Sequence, residues 1–283
     1  MKNGNLRRVL VVFQFAVSIL LIVATIIMFR QINYMLNKDL GFNKEQILVI
    51  NKAGTLGTKI NSFKETVKGI PGVINIVSST AVPGRNNRTS ACKMEGGKDE
   101  MFELETNFID YDYLKTYGIT LVSGRAFNKS FTTDQQSCLI NETAVKDFGI
   151  TDLEKTRFTR PGDPTGANYL QIIGVVKNFN FKSLHNQIGP YLFCLKTDDI
   201  FGGYLSVKIS ARNYSKTISA VESRWKEFTA DNSLEYYFVD EDFEQMYIQE
   251  KQNAKMAVIF SILAVFIASL RLFGLTGQSG TIT

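Results

Sequence analysis

A stretch of 21 residues without a charged side chain, Val9–Phe29, constrains this chain more than any other feature. As an α-helix it is about 31 Å long, close to the roughly 30 Å of a bilayer's hydrocarbon core. A helix buried in a soluble core rarely lacks charge on every face over such a length, although that alternative stays open. A cleaved signal peptide is a second alternative, because Lys2, Arg7 and Arg8 resemble its basic region. The apolar core of a signal peptide is about 7–15 residues long and ends in a small-x-small site. The run here is longer and ends at Arg30, which favours an uncleaved transmembrane helix.

A second apolar run, Met256–Leu270, lies near the other end of the sequence. It continues to Leu275 beyond Arg271, a side chain that can reach back to the membrane interface. We therefore predict a second transmembrane helix over residues 256–275.

The charges beside the two spans predict the orientation of the chain. Basic residues precede the first span, so the positive-inside rule places residues 1–8 in the cytoplasm. Two spans then leave residues 30–255 outside the cytoplasm and return a short tail, residues 276–283, to the inside. The prediction is a multi-pass membrane protein whose central module lies outside the cytoplasm.

One face of each predicted span carries polar or small residues that lipid does not require. These residues are Gln14, Ser18 and Thr25 in the first span, and Ser261, Ala264 and Ala268 in the second. Close packing and interhelical hydrogen bonds drive helix association in lipid, so such faces predict where helices meet. The alternative is that small polar residues are simply tolerated within a span.

Apolar residues also continue the helical periodicity beyond both spans. The predicted stalk residues are Phe29, Ile32 and Leu36 after the first span, and Phe243, Met246 and Tyr247 before the second. Without a helix breaker between residues 243 and 256, this pattern predicts two helices that project from the bilayer as a stalk beneath the module. Ordinary juxtamembrane turns are the alternative.

Two similar strand–helix–strand units lie at the ends of the module. The first combines a strand at Gln46–Asn51, a helix face from Ile60 to Ile70, and a strand at Val73–Ser79. The second combines a strand at Tyr204–Ser210, a helix, and a strand that ends at Val239. Each unit is long enough for a crossover between parallel strands of one sheet.

The middle of the module predicts further strands and a short helix. Glu103–Asp110, Gln136–Asn141 and Leu170–Lys177 have strand patterns, and Asn141 is a candidate helix cap. Gly84–Glu100 is polar, which favours a mobile connection, and Thr156–Asn168 has the glycine and proline content of a loop. The predicted fold class is an α+β module of two lobes, with a lobe at about 83–200 inserted between the two units. Two transmembrane helices flank it.

The sequence does not contain the usual catalytic patterns. It has a single histidine, His185, and no GxxxxGK[ST] motif, so we expect neither a histidine-based site nor a Walker-type ATPase. A net charge of +5 disfavours nucleic-acid binding. Three scattered cysteines favour packing residues, and the acidic residues at 240–244 favour a solvated helix N-terminus. We expect no enzyme activity, no cofactor and no metal site.

The chain resembles the FtsX/MacB-type permease family, in its Bacteroidetes-like branch, over nearly its whole length. The matching segments, in order, are residues 6–35, GFNKEQILVI (41–50), IPGVINIVSS (70–79), YLKTYGITLVSGRAF (113–127), LINETAVKDFGI (139–150), IIGVVKNFNFKSLHNQIGP (172–190), FVDEDFEQMYIQEKQ (238–252) and FSILAVFIASLRLFGL (260–275). The resemblance implies a MacB-like periplasmic core domain between membrane helices.

The resemblance also implies a function and partners. In such systems a separate cytoplasmic ABC ATPase dimerises on ATP, and the permease helices carry the movement to a periplasmic module that expels or extracts a substrate. The expected partners are that ATPase, a second permease block or a further copy of the chain, the lipid bilayer and a periplasmic protein. Two alternatives remain: a non-transporting scaffold or regulator of the FtsX type, and a two-span sensor of an extracytoplasmic ligand.

The sequence departs from the family pattern at its end. Arg271 stands where a small residue is usual, and the family's block continues to two further spans where this sequence stops at Thr283. The resemblance therefore implies a fragment or a single block of a longer permease.

Overall fold

The computed structural model describes residues 3–85, 88–95, 101–163, 166–195, 203–212, 214–230 and 232–279, with only the backbone for 3–8, 10 and 271–279. These residues divide into two compact units. Met1–Lys38 and Glu244–Thr283 form the helical unit, and Asp39–Phe243 form the module. Met1 and Lys2, and residues 280–283 of the predicted tail, lie outside the described residues.

The elements follow one another in a mixed order along the chain. The helices are α1 (Asn3–Asn37), α2 (Ile60–Lys68), α3 (Tyr113–Tyr117), α4 (Glu142–Asp147), α5 (Tyr214–Thr229), α6 (Val239–Gln245) and α7 (Ile248–Ser279). The strands are β1 (Ile47–Ile50), β2 (Val73–Ser79), β3 (Arg88–Lys93), β4 (Met101–Ile109), β5 (Leu121–Gly124), β6 (Ser137–Asn141), β7 (Arg157–Thr159), β8 (Tyr169–Val176), β9 (Tyr191–Leu195), β10 (Tyr204–Ile209) and β11 (Tyr236–Phe238). Short 3-10 turns lie at Ala53–Lys59 and Thr132–Gln136.

The first lobe of the module consists of the two predicted strand–helix–strand units, interleaved. Its strand order is β11-β1-β10-β2, and every neighbouring pair is antiparallel. The two strands of each unit are therefore parallel but not adjacent, because one strand of the other unit lies between them. This split βαβ arrangement is ferredoxin-like.

The amphipathic helices α2 and α5 complete this lobe. Phe63 in α2 makes edge-to-face contacts with Trp225 and Phe228 of α5, with ring centroids 5.6 and 5.5 Å apart. These side chains pack with the buried residues of β1 and β10 in one hydrophobic core. Burial of these aromatic faces accounts for the helical periodicity in the sequence.

The second lobe is inserted between β2 and β10, which pair with each other. Its part of the sheet continues in the order β4-β9-β6-β8-β5, with β3 added to β4 and β7 added to β8. Two of its pairings, β4 with β9 and β6 with β8, are parallel. A single residue pair, Ser79 with Ile109, joins this part of the sheet to the first lobe. Its own core contains Cys92, Leu104, Ile140 and Phe158.

The predicted fold class, a two-lobed module of mixed sheet and helices between two apolar helices, is confirmed. The predicted cap of α4 is also present, since the Asn141 side chain accepts a hydrogen bond from the backbone N–H of Ala144 at 3.0 Å.

Two segments differ from the sequence prediction. The expected mobile connection Gly84–Glu100 contains β3, which pairs with β4 along its whole length, although residues 86–87 and 96–100 lie outside the described part. The expected loop Thr156–Asn168 contains β7, which pairs with β8. Both strands are short or polar, so pairing with a neighbour rather than an alternating apolar pattern stabilises them.

Candidate functional site

Helices α1 and α7 pack against each other in the helical unit. The hydroxyl oxygens of Thr25 and Ser261 lie 3.1 Å apart across this contact and are buried. Each hydroxyl is also within hydrogen-bond distance of a carbonyl in its own helix: Leu21 O at 2.7 Å for Thr25 and Ala257 O at 2.8 Å for Ser261. Because each hydroxyl has one proton, one of the two can donate across the interface while the other donates within its helix.

The buried face of each helix repeats every seven residues. It comprises Ser18, Thr25 and Ile32 in α1, and Ala254, Ser261 and Ala268 in α7. A seven-residue repeat is the spacing of left-handed helix packing, and small residues allow the two backbones to approach closely.

The structure therefore places most of the sequence-predicted packing residues on the buried faces. Gln14 and Ala264 are half-buried beside them. Ile32, which the sequence predicts as a stalk residue, belongs to the buried repeat of α1. Ala254 was missed, and its signal is the seven-residue spacing from Ser261.

The remaining faces of α1 and α7 expose large apolar side chains. Two segments, Val11–Asn37 and Ile248–Leu270, are long and apolar enough to cross a membrane. Residues such as Phe13, Leu20 and Phe266 are more than half exposed within this pair of helices. Water does not favour such a surface, whereas the hydrocarbon core of a bilayer does.

The predicted stalk is not one continuous helix before the second span. Helix α6 ends at Gln245 and α7 begins at Ile248, with a turn at Met246 and Tyr247 in which the N–H of Tyr247 donates to Glu244 O at 3.2 Å. The expectation of an unbroken helix from Phe243 onwards is therefore wrong.

The predicted stalk residues consequently lie in different environments. Phe243 is a buried residue of the module, Tyr247 is buried in the turn, and Met246 is half-buried. Phe29 is exposed and Leu36 is half-buried, both in α1. The sequence lacks a glycine or proline at the turn, so its pattern offered no sign of it.

The chain that follows α1 is held tightly at the start of the module. The N–H of Asn180 donates to Leu40 O at 2.7 Å, and the N–H of Asn43 donates to Tyr117 O at 2.6 Å. Between them, Gly41 has a φ of +80°, and a β-carbon there would lie 2.7 Å from Asn178 O. Glycine is therefore required for this close approach of two backbones.

An aromatic cluster joins the two ends of the module. Phe42 lies just after α1. Its ring centroid is 6.3 Å from that of Tyr117, 6.4 Å from that of Phe179 and 5.5 Å from that of Phe243. Phe243 belongs to α6, the last element before α7. Both chain segments that connect the module to the apolar helices are thus packed into the same buried cluster.

An ion pair gives α6 a second attachment within the module. The Nε of Arg85 lies 2.8 Å from both carboxylate oxygens of Asp242, and Nη2 also donates to Oδ1. The guanidinium lies 4.0 Å above the ring of Tyr237 in β11. The hydrogen bond to Asp242 raises the pKa of Arg85. Burial raises the pKa of the Tyr237 phenol.

This contact corrects the interpretation of the acidic residues at 240–244 as a solvated turn. Asp242 is 6% exposed and paired, whereas Glu241 and Glu244 are exposed. Sequence reasoning missed Arg85, because its partner is 157 residues away.

The described part of the module includes a surface cleft lined by charged and polar residues. This cleft, of about 860 Å³, opens beside β5 and β8 and is lined by Arg125, Asp152, Glu154 and Gln171 among others. The guanidinium of Arg125 already pairs with the buried carboxylate of Asp134. Among the described residues no group of three or more histidine, cysteine, aspartate or glutamate side chains is placed to hold a metal ion.

Comparison with protein-family models gives no match, and no curated protein sequence matches the chain. Solved structures do match. The periplasmic region of MacB from Actinobacillus actinomycetemcomitans aligns with a TM-score of 0.53 and 14% identity, over 75% of this chain and 97% of that one. The module therefore has the fold of the MacB periplasmic region.

Two further solved domains align less closely. The extracellular domain of the noncanonic ABC-type transporter YknZ from Gram-positive bacteria has a TM-score of 0.47 and 14% identity, over 72% of this chain and 92% of that one. A domain assigned to a permease of Porphyromonas gingivalis has a TM-score of 0.48 and 18% identity, over 69% and 90% of the respective chains.

Proposed function

We propose that this chain is the membrane permease subunit, or a part of one, of an FtsX/MacB-type ABC transporter. In this proposal it transmits the ATP-driven motion of a separate cytoplasmic ATPase to the module, which lies outside the cytoplasm and exports or extracts a substrate. The observation that carries the proposal is a module with the fold of the MacB periplasmic region, connected at both ends to helices apolar enough to span a bilayer.

The exposed surface of the helical unit supports the membrane placement. Its outer faces are formed largely by valine, isoleucine, leucine and phenylalanine, whereas its inner face carries the small and polar residues. A soluble two-helix unit would bury the large apolar residues and expose the polar ones. The observed arrangement suits lipid as the surrounding solvent.

The two attachments at the ends of the module support transmission. A flexible linker would absorb a displacement, whereas a connection fixed by packing and hydrogen bonds passes it on. After α1, Gly41 and Phe42 are packed against the module, and before α7, Phe243 and Asp242 are packed and paired. A displacement of either chain segment would therefore act on the same aromatic cluster.

The proposed partners follow from this role. The chain would assemble in the bacterial inner membrane with a cytoplasmic ABC ATPase, and with a second permease block or a further copy of itself. A periplasmic protein would meet the module. The fully buried residues described on the packed faces of α1 and α7 are uncharged, which suits association in lipid rather than an exchange of charges.

The proposal is tested by cross-linking the two helices while the ATPase works. The double variant Thr25→Cys with Ser261→Cys, reconstituted in vesicles with the partner ATPase, should form a cross-link whose yield changes when ATP is added. An ATPase variant that cannot bind ATP is the control and should leave the yield unchanged. Copurification without any response to nucleotide would contradict the transmission role and favour a static scaffold.

A further inference from the structure

The three cysteines of the chain meet in one core, that of the second lobe. Cys92 lies in β3, Cys138 in β6 and Cys194 in β9, and all three are fully buried as free thiols. The sequence separates them by dozens of residues, so only the sheet topology brings them together. Two of them stand directly opposite each other.

Cys138 and Cys194 are cross-strand partners in the antiparallel pairing of β6 with β9. Their side chains therefore leave the sheet on the same face. An antiparallel pair is either hydrogen-bonded or non-hydrogen-bonded, and the pairing of β9 with its other neighbour, β4, shows which of the two this pair is. The N–H of Glu105 in β4 donates to Pro190 O at 3.0 Å, so the backbone groups of residues 190, 192 and 194 point to β4 rather than to β6. Cys138 and Cys194 thus form a non-hydrogen-bonded pair.

This position matches the geometry of a disulfide. In a non-hydrogen-bonded antiparallel pair the α-carbons are about 4.5 Å apart and the side chains are closest. Disulfides bridge α-carbons about 4.4–6.8 Å apart. Formation of the bond would require the two side chains to turn towards each other, and the Cys138 thiol, which lies 3.9 Å from Leu170 O, would leave that contact.

We propose that Cys138 and Cys194 form a disulfide that joins β6 to β9 when the module matures in an oxidising compartment. The inference rests on the proposed placement of the module outside the cytoplasm, where disulfides form and persist. The oxidant is a dithiol–disulfide oxidoreductase or a small-molecule disulfide. The two thiols lose two protons and two electrons to form one sulfur–sulfur bond, and the oxidant's disulfide takes up both to become two thiols.

Cys92 is the thiol that remains. Its cross-strand partner in β4 is Phe102, so no cysteine stands opposite it. Burial raises the pKa of Cys92 to about 12, and burial also raises the pKa of Cys138 and Cys194. Since the thiolate is the reactive form, the bond must form before the core closes, and the folded reduced module resists oxidation.

The bond would connect the two halves of the inserted sheet. Strand β9 pairs with β4 on one side and β6 pairs with β8 on the other, so the β6–β9 pairing is the seam between them. A covalent link at this seam would keep the second lobe together when it is moved as a unit.

Differential alkylation of the full chain tests the proposal in two arms. In the first, the denatured, reduced protein is refolded in detergent with oxidised glutathione. In the second, it is extracted from membranes with N-ethylmaleimide present and no reductant. Free thiols are counted after denaturation, and linked peptides are identified by mass spectrometry. We expect the count to fall from three to one, with Cys138 linked to Cys194, in both arms.

Three alanine variants sharpen the result. Cys92→Ala should keep the link, whereas Cys138→Ala and Cys194→Ala should each abolish it without creating another. Three free thiols in the refolded arm, or a link to Cys92, would overturn the pairing itself. A link in the refolded protein with three free thiols in the membrane-derived protein would overturn the disulfide in cells and count against the placement outside the cytoplasm.

Labelling of the module from outside the cell distinguishes failure of the disulfide proposal from failure of the proposed function. If an exposed module residue is accessible from outside and the membrane-derived protein still has three free thiols, the disulfide is refuted while the proposed function stands.

Discussion

The helical unit and the module use the same apolar residue types in opposite ways. In the module, Phe63 and Ile47 are fully buried, and the few large apolar residues that are exposed are scattered. In the helical unit, Phe266 is 59% and Ile262 is 63% exposed, and the buried positions among the described side chains belong to serine, threonine and alanine as well as Ile32 and Tyr247. The module buries its large apolar side chains, whereas the helical unit exposes them, and such an apolar surface is favoured by lipid rather than by water.

This contrast explains why whole-chain averages are uninformative here. Mean hydropathy is −0.03, a value between those of its two parts. The apolar residues of the module are buried as in a water-soluble domain, whereas those of the helical unit are exposed, as the hydrocarbon core of a bilayer favours. The predictions below test the contrast from the largest expected effect to the smallest.

Removal of the helices should change the partition of the protein completely. A fragment of residues 39–243 is expected to stay in the supernatant after ultracentrifugation without detergent, because its apolar residues are buried. The full chain should sediment with membranes. Analytical ultracentrifugation and circular dichroism would check that the fragment is folded. A full chain that stays soluble and monodisperse without detergent would contradict the proposed difference between the helical unit and the module.

Alkaline pH should unfold the module and spare the helices. Burial raises the pKa of Cys92 from its ordinary 9.0 to about 12, and raises the pKa of Tyr214 from 10.0 to about 12, with Tyr113 and Tyr117 also raised. Above about pH 9 the unfolded chain loses protons that the folded module retains, so stability falls with rising pH.

The loss should begin between pH 9 and 10 and continue to about 12. Near-ultraviolet circular dichroism in detergent should report loss of the module's tertiary signal, while helical signal from α1 and α7 persists. A module that is equally stable at pH 7 and pH 12 would contradict the burial of these groups.

Truncation of a buried aromatic residue should matter only in the module. Phe63→Ala removes the contacts with Trp225 and Phe228 and should lower the free energy of unfolding by about 3–5 kcal/mol. Phe266→Ala is the matched control on the exposed face of α7, with an expected change of less than about 1 kcal/mol in detergent. Chemical denaturation measures both, and equal effects would refute the contrast.

Loss of the ion pair at α6 should have an intermediate effect. Arg85→Ala leaves the buried carboxylate of Asp242 without its partner and should cost about 1–3 kcal/mol. Arg224→Ala, which breaks an exposed pair with Glu227 in α5, is the control and should cost less than about 0.5 kcal/mol. If Arg85→Ala also weakens the response of the helices to ATP without unfolding the module, the pair serves transmission.

Loss of the hydroxyl contact between the helices should have the smallest effect, a slight weakening of helix association. Thr25→Val removes one side of the pair with Ser261 and should weaken helix association by about 0.6 kcal/mol. Ser269→Ala, whose hydroxyl bonds Val265 O within α7, is the control. Energy transfer between labelled helices in bilayers measures the difference, and a larger effect for Ser269→Ala would contradict the packed face.

The sequence predicted the first lobe better than the second. Helices α2 and α5 have clear helical apolar patterns because each buries one face, and in β10 apolar residues alternate with polar ones. By contrast, β3 has one fully buried residue, Cys92, and β9 is a short apolar run without alternation. Such strands are stabilised by pairing with neighbouring strands that are distant in sequence, so the local sequence pattern does not predict them.

The same limit applies to the candidate site. The packing residues Ser18, Thr25 and Ser261 were recognisable because polar or small residues stand out within an apolar span. The contacts of Phe42 with Phe243 and of Arg85 with Asp242 join residues far apart in the chain. Neither residue type nor spacing distinguishes them from ordinary core and surface residues, so the fold was needed to find them.

The orientation of the module in the cell tests the account most directly. Ile74 in β2 is 61% exposed, and the three native cysteines are buried. Ile74→Cys therefore provides a single accessible thiol in a protein whose own cysteines should not react. Spheroplasts treated with a membrane-impermeant maleimide should label this variant as fully as lysed cells do, and should not label the wild type. Labelling that appears only after lysis would place the module in the cytoplasm and contradict the account.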